Sequence, residues 1–139
     1  MVSALLELAA RVEAAPVNRK DRTLNREVAL AVGWARLTPS ESRKSYPTWY
    51  HPSDVRDGHP VFDSLHGTEV WREPLNYLGS VDDALTLCRG PADRHFMAMG
   101  NNRDGYEVHV GSSIARAATL SLSIVAAALR AKAVGEGVE

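Results

Sequence analysis

The residues best suited to chemistry gather at Gly111-Ser-Ser-Ile-Ala-Arg116. Read as the opening of the last helix, this run turns unsatisfied backbone N–H groups and the positive end of the helix dipole outward, which suits an anion. Ser112 and Ser113 add hydroxyls. Arg116 follows Ser113 by three positions and so shares its helical face, with a guanidinium fork that matches phosphate. The plainer reading is that Ser112 or Ser113 caps the helix and Arg116 meets solvent or an acid. A second basic group, Arg19, Lys20, Arg22 and Arg26, crowds the entry to an earlier helix. Arg22 and Arg26 lie one turn apart. Asp21 and Glu27 nearby allow the simpler reading of a solvated charged face. Tyr46, Trp49 and Tyr50 could stack on a nucleobase or anchor a long loop to the core. Taken together, Arg116, Ser113 and Ser112 would hold phosphate, Trp49 or Tyr50 a base, and Arg22 or Arg26 further negative charge.

Other chemistries find less support. His51, His59 and His66 share a segment with Asp54, Asp57 and Asp63, but no cysteine pair or His-Glu-x-x-His accompanies them, and no metal site is expected. His95 and His109 read as a cross-strand surface pair. There is no Gly-x-Ser-x-Gly, no triad spacing, no Walker-type phosphate loop and no dinucleotide fingerprint. The single cysteine, Cys88, ends an apolar stretch and reads as a small buried hydrophobe. The chain therefore reads as a binder that is not an enzyme and needs no cofactor.

A net charge of −1 over 139 residues argues against bulk binding to nucleic acid. One cysteine cannot form an intrachain disulfide, so nothing points to secretion. The N-terminus carries Glu7 and Glu13 and no basic n-region, unlike a signal peptide. The longest apolar stretch, 117–131, is interrupted by Thr119, Ser121, Ser123 and Arg130 and is too short to span a bilayer. A cytoplasmic protein is expected.

The elements that must position these groups follow from periodicity. Leu5, Leu8, Ala9 and Val12 form the stripe of a first helix capped by Ser3 and closed near Pro16. Thr23 is the expected cap of a second, with Leu24, Val28, Ala31 and Val32 inward and Gly33 as its stop. Residues 38–76 hold most of the prolines and many of the aromatics and read as a long ordered loop with short strands near Trp49 and near Val70–Arg72. Ser80 caps a short helix over Val81–Cys88. His95–Met99 and Tyr106–Val110 form a hairpin, the second strand alternating Tyr106, Val108 and Val110 against Glu107 and His109. A last helix is expected over Ser113–Lys132, apolar on several sides and so packed centrally or against a partner chain. The expected fold is α+β: a short antiparallel sheet covered by helices as an α/β/α sandwich, with a long terminal helix. It forms one domain over 1–134 with a flexible tail, 135–139.

Three segments carry a resemblance. Leu6-Glu-Leu-Ala-Ala-Arg-Val-Glu-Ala-Ala15 is followed closely by Leu24-Asn-Arg-Glu-Val-Ala-Leu-Ala-Val-Gly33. Tyr77-Leu-Gly-Ser-Val-Asp-Asp-Ala-Leu-Thr-Leu87 and the Ala-rich 117–131 complete the pattern. Together they resemble the phage ABA-sandwich domain family of small phage and prophage proteins. Asp83 stands where that family usually has Ala, and no Pro opens the last helix. The size and build are also similar to phage sponges, which sequester nucleotide immune signals without cleaving them and assemble as dimers or higher oligomers. What the resemblance implies is an anti-defence protein of the infected bacterial cytoplasm. It would sequester a cyclic nucleotide or a cyclic ADP-ribose-like ligand as a homo-oligomer. Two alternatives are an inhibitor that binds a host defence protein, of anti-restriction or anti-CRISPR type, and a metal-dependent hydrolase using the His/Asp loop.

Overall fold

The computed structural model describes residues 2–16, 22–42, 45–61, 70–88, 97–99, 105–110 and 113–137. The chain divides into two compact units, one formed by residues 1–21 with 76–139 and the other by residues 22–75. The fold is α+β, with short antiparallel sheets flanked by helices and a long C-terminal helix.

In the first unit, helix α1 (Val2–Glu13) buries Leu5, Leu8, Ala9 and Val12 as a single stripe. Ser3 lies inside this helix and not at its cap. Helix α4 (Val81–Leu85) does open on Ser80, whose hydroxyl accepts the Asp83 N–H at 3.3 Å. The sheet runs β5 (Met97–Met99), β6 (Tyr106–Val110), β7 (Ser113–Ala117), all antiparallel, with Ala98 opposite Val108 and Val108 opposite Ala115. The hairpin expected from the sequence is present, and its connecting turn lies outside the described residues. Gly105, at φ 99°, precedes β6 where a Cβ would fall 2.2 Å from the Ala117 carbonyl oxygen, so only glycine fits.

Strand β7 overturns the expected start of the last helix. Ser113, Ala115 and Ala117 are buried while Ile114 and Arg116 are exposed, which is period two. The inward residues are the small ones and the one large apolar residue faces out. Hydrophobicity alone therefore hides the strand and lets Ile114, Ala117 and Ala118 pass for a helical stripe. Helix α5 (Leu120–Gly137) begins later. Thr119 caps it, accepting the Leu122 N–H on its hydroxyl at 3.2 Å. Ser123, fully buried, ties helix to sheet: its hydroxyl accepts the Ala117 N–H at 3.0 Å and donates to the Tyr106 carbonyl at 2.6 Å. Residues 121–129 are buried all round, because α5 packs on β6 and β7 and also against α1 and α4. The apolar circumference that suggested a partner chain is thus filled within this unit. The helix also continues past Gly135, where a tail was expected.

In the second unit, helix α2 (Thr23–Ala31) takes Arg22 as its cap residue, without a side-chain capping bond, so Thr23 is the first helical residue and not the cap. Buried Asn25 donates its side-chain amide to the Leu75 carbonyl at 2.9 Å. Strand β1 (Ala35–Leu37) pairs antiparallel with β2 (Thr48–Tyr50), placing Arg36 opposite Trp49. Trp49 also forms an antiparallel bridge to Trp71, with N–H to carbonyl distances of 2.8 and 2.9 Å in the two directions. Both strand positions expected in the long loop are therefore occupied by extended, paired backbone. Between them, after the short helix α3 (Pro39–Ser42), lies a two-residue hairpin of β3 (Val55–Arg56) and β4 (His59–Pro60). Its turn, Asp57-Gly58, has φ of 54° and 80°, the left-handed pair that favours this dipeptide.

Candidate functional site

The proposed anion seat at the last helix does not form. Ser113 is buried and pairs with Val110 in the sheet, and Ser112 lies outside the described residues. Arg116 is a strand residue opposite Glu107. Its guanidinium lies 3.3 Å from a Glu107 carboxylate oxygen, and the other oxygen of that carboxylate is 3.2 Å from His109 Nε2. The hydrogen bonds from His109 and Arg116 hold the Glu107 carboxyl below the usual glutamate value, although burial pushes the other way. The backbone expected to open the helix is here strand β7. The expected base-stacking rings are corrected too. Trp49 is 2% and Tyr50 3% exposed, so both are core, and Tyr50 accepts the Thr48 hydroxyl at 3.4 Å.

The sheet edge explains what Arg116 and its neighbours do. Glu13 of α1 accepts the Arg116 backbone N–H at 2.9 Å and pairs with Arg130 of α5, one contact of which is 2.6 Å. Arg130 also donates to the Ile114 carbonyl at 2.9 Å. Carboxylate and guanidinium thus take the places that a neighbouring strand's carbonyl and N–H would take along β7. An open edge is a template for unwanted pairing, and this one is closed by side chains. Burial pushes the Glu13 carboxyl up. The Arg130 hydrogen bonds, the Arg116 N–H and the Arg130 charge outweigh it and hold the group below its ordinary value.

The second unit offers a different arrangement. Arg26, on α2, donates Nε to one Glu73 oxygen at 3.1 Å and Nη2 to the other, a two-pronged pair. Arg22 lies one turn earlier on the same helix, exposed, its carbonyl accepting the Arg26 N–H at 3.0 Å. Arg36, also exposed, extends over the Trp49 ring at 5.6 Å. The hydrogen bond from Arg26 is the main reason the Glu73 carboxyl titrates below its usual value. Burial opposes it, and the charges of Arg26, Arg22 and Arg36 add to it. Neither Arg22 nor Arg36 has an ion pair among the described residues.

Beside this cluster lie all three tryptophans of the chain. Trp34 stands edge-on to Trp71 at 5.4 Å between ring centres and to His51 at 5.1 Å. The Trp71 indole N–H is buried and has no acceptor among the described residues. Such a donor costs on the order of 1–3 kcal/mol when left unpaired. A further guanidinium, that of exposed Arg72, lies 4.2 Å over the half-buried Tyr46 ring. Of the residues named from the sequence, Arg22, Arg26 and Trp49 fall in this cluster. Arg36, Trp71 and Glu73 were missed. The signal available for them was the Arg36-Leu37 of strand β1 and the Trp71-Arg72-Glu73 run, which come together through the Trp49–Trp71 bridge and the Asn25–Leu75 hydrogen bond.

Among the described residues no group of three or more His, Cys, Asp and Glu side chains is placed to hold a metal ion. No described helix is long and apolar enough to cross a membrane. Comparison with known proteins brings no relative: no family model matches the chain, and no curated protein or solved structure matches it.

Proposed function

We propose that this protein binds a small anionic molecule of nucleotide type and holds it without turning it over, and that Arg22, Arg26 and Arg36 form the anion seat. The observation that carries the reading is the two-pronged Arg26–Glu73 pair, with Arg22 one turn earlier on the same helix and Arg36 over the Trp49 ring. Guanidinium forks bind phosphate oxygens in pairs, and an arginine lying flat on a ring offers its other face to a base. The Arg72 guanidinium over the Tyr46 ring offers a contact of this second kind. The resemblance to phage proteins makes an immune signalling nucleotide the class to test first, with sequestration as the biological outcome.

The test is a thermal-shift and calorimetric screen against cyclic di- and trinucleotides, cyclic ADP-ribose isomers and ATP. One class is expected to bind and to be recovered intact. Arg26→Ala should then weaken binding about tenfold or more, the scale of a lost charge-assisted fork. A flat response across the panel would overturn the ligand class, and recovery of a cleaved product would overturn the non-catalytic reading.

A second reading, an inhibitor that binds a host defence protein, is favoured by one observation. Ile114 is 50% exposed on the sheet face that also carries the Glu107–Arg116 pair. It requires that Ile114→Asp abolish inhibition of the target while Arg26→Ala leaves it intact.

A further inference from the structure

We infer that Glu73 is a resident counter-ion occupying the anion seat, and that a ligand enters by displacing it from Arg26, which selects for molecules bringing two or more negative charges to the cluster, such as a diphosphate or two linked phosphates. The inference rests on the anion-binding reading above and assigns that site its selectivity.

The geometry sets the condition. The two N–H groups of Arg26 that would grip a phosphate are already engaged by the two oxygens of Glu73. A ligand with one negative charge would exchange one anion for another on the same fork. The gain would be small, because Glu73 holds its place intramolecularly at high effective concentration. A ligand with two charges has more to gain, since Arg22, one turn before Arg26 on the same helix, and Arg36, over the Trp49 ring, have no ion-pair partner among the described residues. Displacement is cheap on the protein's side. The Glu73 side chain is 34% exposed and that of Arg26 41% exposed, so the freed carboxylate can turn into water and be resolvated. It also holds no backbone group among the described residues. The Glu13 carboxylate accepts a backbone N–H besides its arginine, whereas only Arg26 is seen to donate to Glu73 among the described residues. The switch is therefore a competition between an internal carboxylate and an external phosphate for one guanidinium.

The three tryptophans at the site make their fluorescence the readout, and inorganic pyrophosphate and dimethyl phosphate serve as multiply and singly charged probes. The intact chain is expected to bind pyrophosphate and to show no saturable response to dimethyl phosphate. Glu73→Gln should bind pyrophosphate about tenfold more tightly, the effect of removing one competing charge, and should gain a measurable response to dimethyl phosphate. Arg26→Ala should lose the pyrophosphate response in either background. Gln can still accept a hydrogen bond from Arg26, which favours retention of the fold. If its emission spectrum and urea midpoint show otherwise, Glu73→Asp, with the charge kept and the reach shortened, carries the same test with tighter binding expected. Equal or weaker pyrophosphate binding by the Glu73 variant, with Arg26→Ala still impaired, would overturn the counter-ion role and leave the anion site standing. No response from either the intact chain or Glu73→Gln would overturn both.

Discussion

Glu13 and Glu73 each grip an arginine fork, yet the two pairs sit in opposite circumstances. Glu13 and Arg130 use their remaining hydrogen-bonding capacity on the backbone of β7, the Arg116 N–H and the Ile114 carbonyl, and their side chains are 23% and 27% exposed. One acid meets one base there, and both are tied to the sheet. Glu73 meets Arg26 with Arg22 one turn earlier on the same helix, and both members of the pair are more open to solvent. The first pair is a structural clip, balanced in charge. The second leaves positive charge over, and leftover charge beside aromatic rings is what a ligand can use. On the proposed function, the same residue types act as scaffold or as site according to how many partners share the charge and whether backbone depends on it.

Breaking the clip should have the largest effect on the fold. Arg130→Ala removes the fork and leaves both Glu13 and the Ile114 carbonyl short of a partner. A loss of about 2–3 kcal/mol is expected, the scale of charged hydrogen bonds in partly buried settings. The change should appear in the urea midpoint, and a loss under about 0.5 kcal/mol would mean that water replaces the clip. The clip is also acid-labile. The Glu13 carboxyl is held below its ordinary value of 4.5, so its contribution is full above that pH and fades as pH falls through the lowered value. Unfolding followed from neutral to strongly acidic pH should therefore show a smaller acid loss in Arg130→Ala than in the intact chain. Equal losses would assign the acid sensitivity to other carboxylates.

Ser123→Ala comes next. It leaves a buried Ala117 N–H and Tyr106 carbonyl to find each other without the hydroxyl between them. About 1–2 kcal/mol should be lost. The smallest effect on stability belongs to Arg26→Ala, below about 1 kcal/mol, as for other solvent-exposed pairs. If Arg26→Ala destabilised as much as Arg130→Ala, the distinction between clip and seat would fail.

Much of the scaffold was legible in the sequence. The α1 stripe, the Ser80 cap, the β5–β6 hairpin and the strand positions at Trp49 and Trp71 follow from local periodicity and turn chemistry, which need no partner to be read. The failure at 113–117 has a physical cause. A sheet covered closely by a helix takes Ser and Ala inward, and Ile114 outward reverses the usual polarity of a strand. Thr119, the true cap, was hidden inside a helix started too early. The candidate site was half legible for a related reason. Arg22 and Arg26 declare themselves by helical spacing, whereas Glu73 lies 47 positions from Arg26, in a segment held by the Asn25–Leu75 hydrogen bond and the pairing of Trp49 with Trp71. Trp49 and Tyr50 looked like ligand platforms because aromatic content cannot by itself separate a core ring from an open one.

The central claim is that the anion is held by the second unit and not by the residues around Arg116. The most direct measurement is calorimetric titration of ATP and pyrophosphate into the intact chain, Arg26→Ala and Arg116→Ala under identical conditions. Saturable binding is expected for the intact chain and for Arg116→Ala, with at least a tenfold loss in Arg26→Ala. Retained binding in Arg26→Ala together with loss in Arg116→Ala would contradict it.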